Sequence, residues 1–175
     1  AMREDGFEMD KFVLTRDESY QPSGLGEAES LKSGCEISTP TPTPTPGPAP
    51  APTPSGHVWL EAESARDGAN FDPFEIRTDA AAAGGEYIVT PDQGRDNYDG
   101  PPAAGHAEYT FDLAADDDYV LWGRTRGQSN GNTFYVGVDG SPDTEWHVEL
   151  GDEWRWSELP LSPAFSAGTH TLTVA

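Results

Sequence analysis

The chain has 175 residues and carries 31 acidic against 10 basic side chains, a net charge of −21 with an isoelectric point near 4.2. Such acidity argues against nucleic acid and anionic membrane surfaces as partners, because the phosphate contribution is repulsive. The longest apolar run, around Ala80 to Ala83, is far short of a membrane span, and a lone cysteine, Cys35, excludes an intrachain disulfide.

Residues 2–15, MREDGFEMDKFVLT, open the chain but read like the end of a domain. Phe7 and Met9 fall on one face of an extended segment. Phe12 and Leu14 share that face only if one residue is inserted near Asp10 and Lys11, as at a β-bulge. One strand cannot bury its apolar face alone, so this one must join a sheet built from distant residues. The other end of the chain offers a counterpart, GTHTLTVA (168–175), with Leu172 and Val174 on one face and Thr171 and Thr173 on the other. Tail read into head gives a strand–turn–strand unit with Asp5-Gly6 as its turn signal. No signal peptide is legible, and the opening Ala1-Met2 decides nothing about one.

Residues 16–38 are loop-like, punctuated by Pro22, Gly24, Gly26 and Gly34. Residues 39–54, TPTPTPTPGPAPAPTP, form a Thr/Ala-Pro run that favours extended polyproline II and carries no core. The expected organisation is a final β-strand segment at 1–20, a Pro/Thr-rich linker at 21–56 and a folded body at 57–175. That body reads as short β segments at 58–64, 86–90, 107–113, 119–126, 133–139, 146–150, 155–159 and 169–174. The clearest is 107–113, where Ala107, Tyr109, Phe111 and Leu113 alternate with Glu108, Thr110 and Asp112. Gly, Asp, Asn and Pro clusters separate the runs, and no convincing helical stretch appears. Many short strands at such spacing predict an all-β sandwich or jelly roll.

Glu61 and Glu63 sit two apart on the first strand of the body, opposite Val58, Leu60 and Ala62. They form either the solvent face of an edge strand or a hard-cation site, since two carboxylates held close repel each other unless a cation compensates. Asp116, Asp117 and Asp118 lack EF-hand spacing and read as a solvated turn. Trp122 and Trp146 lie in strands and suit the core. Trp154 and Trp156 share a strand face next to the polar run Gly151-Asp152-Glu153, where they either pack inward or offer an apolar platform. Arg124, Arg126, Asn130 and Asn132 cluster before and inside the loop QSNGN, a turn by composition. No nucleophile elbow, zinc-protease helix, phosphate loop or paired-cysteine metal motif is present, and His57, His106, His147 and His170 show no ligand spacing.

Three stretches also carry a resemblance. WLEAESA (59–65), YVLWGR (119–124) and GTHTLTVA (168–175) followed by REDG and DKFVLT from the front of the chain resemble bacterial carbohydrate-binding modules. The type is a galactose-binding-like jelly roll related to families six and thirty-five, in which the two halves of that junction are contiguous. The resemblance implies a structural Ca2+ ion held by Glu61, Glu63 and Asp10. It also implies a sugar site on loops at one end of the sandwich, lined by Tyr87 and flanked by the turn Arg3, Glu4 and Asp5. With the residues above, the sugar-site candidates are Tyr87, Arg124, Asn130, Asn132, Trp154, Trp156, Arg3, Glu4 and Asp5.

The reading that follows is a non-catalytic carbohydrate-binding module of a secreted polysaccharide-degrading enzyme. It would bind a polysaccharide or oligosaccharide and hold a covalently linked catalytic domain to it, weakly per site and through avidity. A structural or adhesive surface module, and a small polysaccharide lyase or hydrolase, are the alternatives. Residues 2–15 are expected to fill the place that follows Val174, within their own chain or by strand exchange with another copy.

Overall fold

The computed structural model describes residues 6–30, 56–91, 105–127, 133–141, 143–149 and 151–175. Within them the strands are β1 (Glu8–Thr15), β2 (His57–Glu61), β3 (Glu75–Thr78), β4 (Glu86–Val89), β5 (Ala107–Leu113), β6 (Asp117–Asp118), β7 (Val120–Gly127), β8 (Thr133–Val138), β9 (Thr144–His147), β10 (Gly151–Glu158), β11 (Ala164–Phe165) and β12 (Gly168–Val174). The fold is all-β. A six-stranded sheet runs β10-β7-β1-β4-β3 with β2 also on β1, a four-stranded sheet runs β5-β12-β8-β9, and β11 pairs with β6. Alternation on β5 is strict: every second residue is buried. Met9, Phe12, Leu14, Leu60, Ile88 and Leu121 from the larger sheet meet Tyr109, Phe111, Phe134, Val136, Trp146, Leu172 and Val174 from the smaller in one buried cluster. The two sheets therefore form a sandwich.

β1 lies inside the larger sheet, antiparallel to β7 on one side and to β2 and β4 on the other. The register against β7 slips between Met9 and Lys11, which is the expected bulge. Met9 then faces Thr125 and Phe12 faces Gly123 across the ladder, so the apolar residues on both sides of the slip reach the core while Asp10 and Lys11 turn outward. Gly123 is required there, since a Cβ at this position would collide with the Trp146 ring. Thr15 stands opposite His57 and Leu14 opposite Val58, so the segment ends beside the start of the folded body.

Other expectations need correction. β1 does not follow β12 as a hairpin partner: β12 pairs with β5 and β8, so neither of its edges is free. Ala175 and Phe7 nevertheless both reach the start of β8, where Ala175 and Tyr135 exchange backbone hydrogen bonds of 2.9 Å and Phe7 packs edge-on against Phe134. The strand expected at 58–64 stops at Glu61 and passes into a 3-10 turn, Ala62–Ala65. In a three-residue repeat Ala62 and Ala65 eclipse, and both are buried. β3, β6 and β11 were not anticipated, and the strand expected at 146–150 sits at Thr144–His147. Cys35 and the run 39–54 lie outside the described residues. Among those described, no helix is long and apolar enough to cross a membrane.

Candidate functional site on the outer face of the six-stranded sheet

The side of the larger sheet turned away from the core carries most of the candidate residues. Alternation on β7 sends Leu121 and Gly123 inward and Trp122, Arg124 and Arg126 outward. The bulge adds Asp10 and Lys11 from β1, and β10 adds Trp154 and Trp156, with Trp156 opposite Arg124.

Tyr87 on β4 and Trp154 on β10 form the first group. Their rings meet edge-to-face, with centroids 5.3 Å apart and planes at 72°. The Arg126 guanidinium lies 4.5 Å from the Trp154 ring centre and 5.6 Å from that of Tyr87. It is ion-paired with Glu8, and with Asp79 at 2.6 Å. Asp79 also accepts the Trp154 indole N–H at 3.3 Å and the Ala81 amide at 2.9 Å. The Ala81 amide and then Arg126 hold the Asp79 carboxyl below its ordinary range. Burial opposes the charge on Arg126, yet its bonds to Glu8 and Asp79 hold its pKa above the usual value.

Arg124 and Asp10 form the second group. Arg124 is 7% exposed and gives one hydrogen bond to Asp10 and another, of 3.1 Å, to the Ala81 carbonyl. The other Asp10 oxygen accepts the Ala83 amide at 2.9 Å. Burial pushes the Asp10 carboxyl up to about 6, against the pull of Arg124. Two arginines of β7 and one aspartate of β1 thus pin the segment 79–83 to the sheet. Arg124 also passes 5.5 Å from the Trp154 ring, so the structure holds it between Asp10 and that ring.

Beside Asp10 stand the other two metal candidates. Glu61 pairs with the Lys11 ammonium at 2.7 Å through Oε1. Its Oε2 and the Oε2 of Glu63 are buried and have no partner among the described residues. Burial, reinforced by the charges of Glu61, Asp10 and Glu86, pushes Glu63 up to about 7. Orphaned carboxylate oxygens that repel one another suit a hard cation with oxygen ligands. As they stand, no three acidic, histidine or cysteine side chains among the described residues converge closely enough to hold one. Two claims compete for the carboxylates: Lys11 occupies one Glu61 oxygen and Arg124 one Asp10 oxygen.

Trp156 has a different setting from Trp154. Residues 16–30 run across the sheet as a strap over Trp59 and Lys11. The Trp156 indole donates to the Gly24 carbonyl at 3.1 Å, and Lys11 donates to the Glu27 carbonyl. Ser30 closes the strap through a backbone bond to the Trp59 carbonyl and a hydroxyl bond from the Trp59 amide, both 2.9 Å. Gly26, at φ +72°, lies on the Trp59 ring where a Cβ has no room. Trp156 and Trp59 meet edge-to-face at 5.8 Å. Trp146, expected in the core, is there, whereas Trp122 faces outward on β7 and is half-buried.

The structure therefore brings Tyr87, Trp154 and Arg124 together and places Trp156 under the strap on the same sheet. Asn130, Asn132, Arg3, Glu4 and Asp5 lie outside the described residues. Sequence reasoning passed over Asp79, Glu8 and Lys11. Alternation along β7 already put Arg126 beside Arg124; nothing local in the sequence paired either with an acid so distant in the chain. Compared with known proteins, the chain matches no family model, no curated protein and no solved structure.

Proposed function

We propose that the protein is a non-catalytic carbohydrate-binding module whose ligand lies against the Tyr87–Trp154 pair. The observation that carries this reading is an aromatic wall with hydrogen-bonding groups set at its edge: Trp154 is half-buried, and Asp79, Glu8 and Arg126 are each about a fifth exposed beside it. Sugar rings offer C–H faces that stack on aromatic rings and hydroxyls that need fixed polar partners, and sites of this kind combine both. The resemblance at 59–65, 119–124 and 168–175 points the same way. So does the Thr/Ala-Pro run at 39–54, a linker type that commonly separates modules of secreted polysaccharide-degrading enzymes. A linked catalytic domain and secretion belong to this proposal.

A structural Ca2+ ion at Glu61 and Glu63, with Asp10 as third acid, completes the reading. The two orphaned oxygens support it, and such an ion would join β1 to the end of β2. The structural or adhesive alternative is favoured by one feature, the 6% exposure of Tyr87. A glycan array with and without calcium separates the two. Binding that is lost in Trp154→Ala supports the module. Silence across the array in both conditions, with the protein folded, refutes it.

A further inference from the structure

Every cation that borders the Tyr87–Trp154 pair among the described residues already has a carboxylate. Arg126 holds two, Glu8 and Asp79. Arg124 holds Asp10, and Arg77, which stands opposite Tyr87 across β3 and β4, holds Glu75 at 3.0 Å. Four carboxylates thus face three guanidiniums around the rings, an excess of one negative charge. The same acids also border the walls: Asp79 accepts the Trp154 N–H, and burial together with the nearby Glu8 charge raises the pKa of the Tyr87 phenol.

Resting on the carbohydrate reading above, we propose that Glu8 and Asp79 are specificity-determining residues that restrict this site to neutral sugars and reject uronic acids. Arginine selects a carboxylate through the paired N–H groups of its planar fork. On Arg126 that fork is turned to two resident carboxylates, so a uronate must displace one of them and then sit beside the other. Like charges brought together in this way oppose binding strongly. A hydroxyl meets no such obstacle, because it donates to the open lone pairs of Glu8 or Asp79 and accepts from a remaining guanidinium N–H. The net charge of −21 adds a longer-range repulsion that salt screens.

The test is titration calorimetry of the full chain at fixed calcium against matched polymers. The acidic members are polygalacturonate and polymannuronate, the neutral members are the same polymers after carboxyl reduction, and a panel of neutral glucans, xylans and galactans is added. Neutral members are expected to bind, and each acidic partner to bind at least about tenfold more weakly at low salt. That gap should narrow as ionic strength rises, a readout that needs no variant. Glu8→Gln and Asp79→Asn, made singly, should also narrow it by freeing one side of the Arg126 fork. Acidic polymers that bind as well as or better than neutral ones overturn the selectivity while leaving the carbohydrate reading intact. A gap that ignores both salt and the two substitutions overturns the role of Glu8 and Asp79. Failure of every polymer, neutral and acidic, overturns both this inference and the reading beneath it.

Discussion

The inner face of the six-stranded sheet holds Met9, Phe12, Leu14, Leu60, Ile88 and Leu121 against the second sheet. The outer face of the same strands holds Glu8, Asp10, Lys11, Arg124 and Arg126 among Trp59, Tyr87, Trp154 and Trp156. Burial of apolar area is non-directional, so the inner face asks only that residues of about the right size point the right way. Charged pairs on the outer face depend on which partner stands where, because a buried charge without its partner is costly. One strand, β1, serves both faces, and its bulge lets the apolar residues on either side of Asp10 and Lys11 reach the core.

The sharpest way to break this contrast is to damage each face once. Phe12→Ala should cost about 3–5 kcal/mol in urea denaturation through lost apolar burial and a cavity. Arg124→Ala should cost a similar amount, about 3–5 kcal/mol, by stranding the Asp10 carboxylate. A loss under about 1 kcal/mol for Arg124→Ala, the range of an exposed ion pair, would mean that the outer face is a decoration on a self-sufficient core.

Next comes the carboxylate group. Asp10 and Glu63 are pushed up to about 6 and about 7 by burial. Groups whose folded pKa is raised lend stability that is full below their unfolded pKa and is lost as pH rises through the folded value. In chelator, the melting temperature should therefore fall between about pH 4 and pH 7. Calcium should offset that fall increasingly toward and above pH 7, where the ligands are ionised. Melting curves identical with calcium and with chelator across that range would remove the ion from the account.

The strap gives a smaller effect. Gly26→Val places a side chain against the Trp59 ring at a positive φ and should cost about 1–3 kcal/mol, with increased quenching of tryptophan fluorescence. An unchanged stability would mean that residues 16–30 rest on the sheet without holding it.

The smallest effect lies far from the outer face. His170 on β12 sits between two acceptors, Asp139 Oδ2 at 2.7 Å and the Ser166 carbonyl at 2.8 Å, which both ring nitrogens satisfy only as an imidazolium. Burial works against that charge, but Asp139 and Ser166 raise the pKa of His170, with Asp112 adding to the pull. Its contribution is complete below the unfolded value near 6.5 and is lost as pH rises through the raised folded value. His170→Gln should remove about 1 kcal/mol at pH 6 and flatten the fall above pH 7.

The inner face was legible because its signal is local. Strict alternation marked β5, and the break in alternation at Asp10 and Lys11 marked the bulge before any partner strand was known. Glu61 stayed ambiguous for the opposite reason: its neighbours Lys11 and Asp10 come from a strand on the far side of a Pro-rich stretch. Arg124 stood out by its place before the loop QSNGN, while its outward turn and its partner did not, since Trp122 on the same face read as core and no spacing in the sequence relates position 124 to position 10. β3, β6 and β11 escaped because two to four residues carry too little pattern to separate a strand from a loop. The same limit applies to the sugar-site candidates. The family resemblance singled out Tyr87 and residue type the two tryptophans, and only the sheet order separates Trp154, beside Tyr87, from Trp156 beneath the strap.

If a neutral carbohydrate lies against the Tyr87–Trp154 pair, the indole N–H resonances report its arrival. During titration with the best neutral glycan, the Trp154 N–H, which bonds Asp79, should shift with saturation. The N–H of Trp146, bonded to the Glu158 carbonyl at the core, should stay in place. Saturable binding that leaves Trp154 unmoved, or no binding of any neutral glycan, contradicts the account.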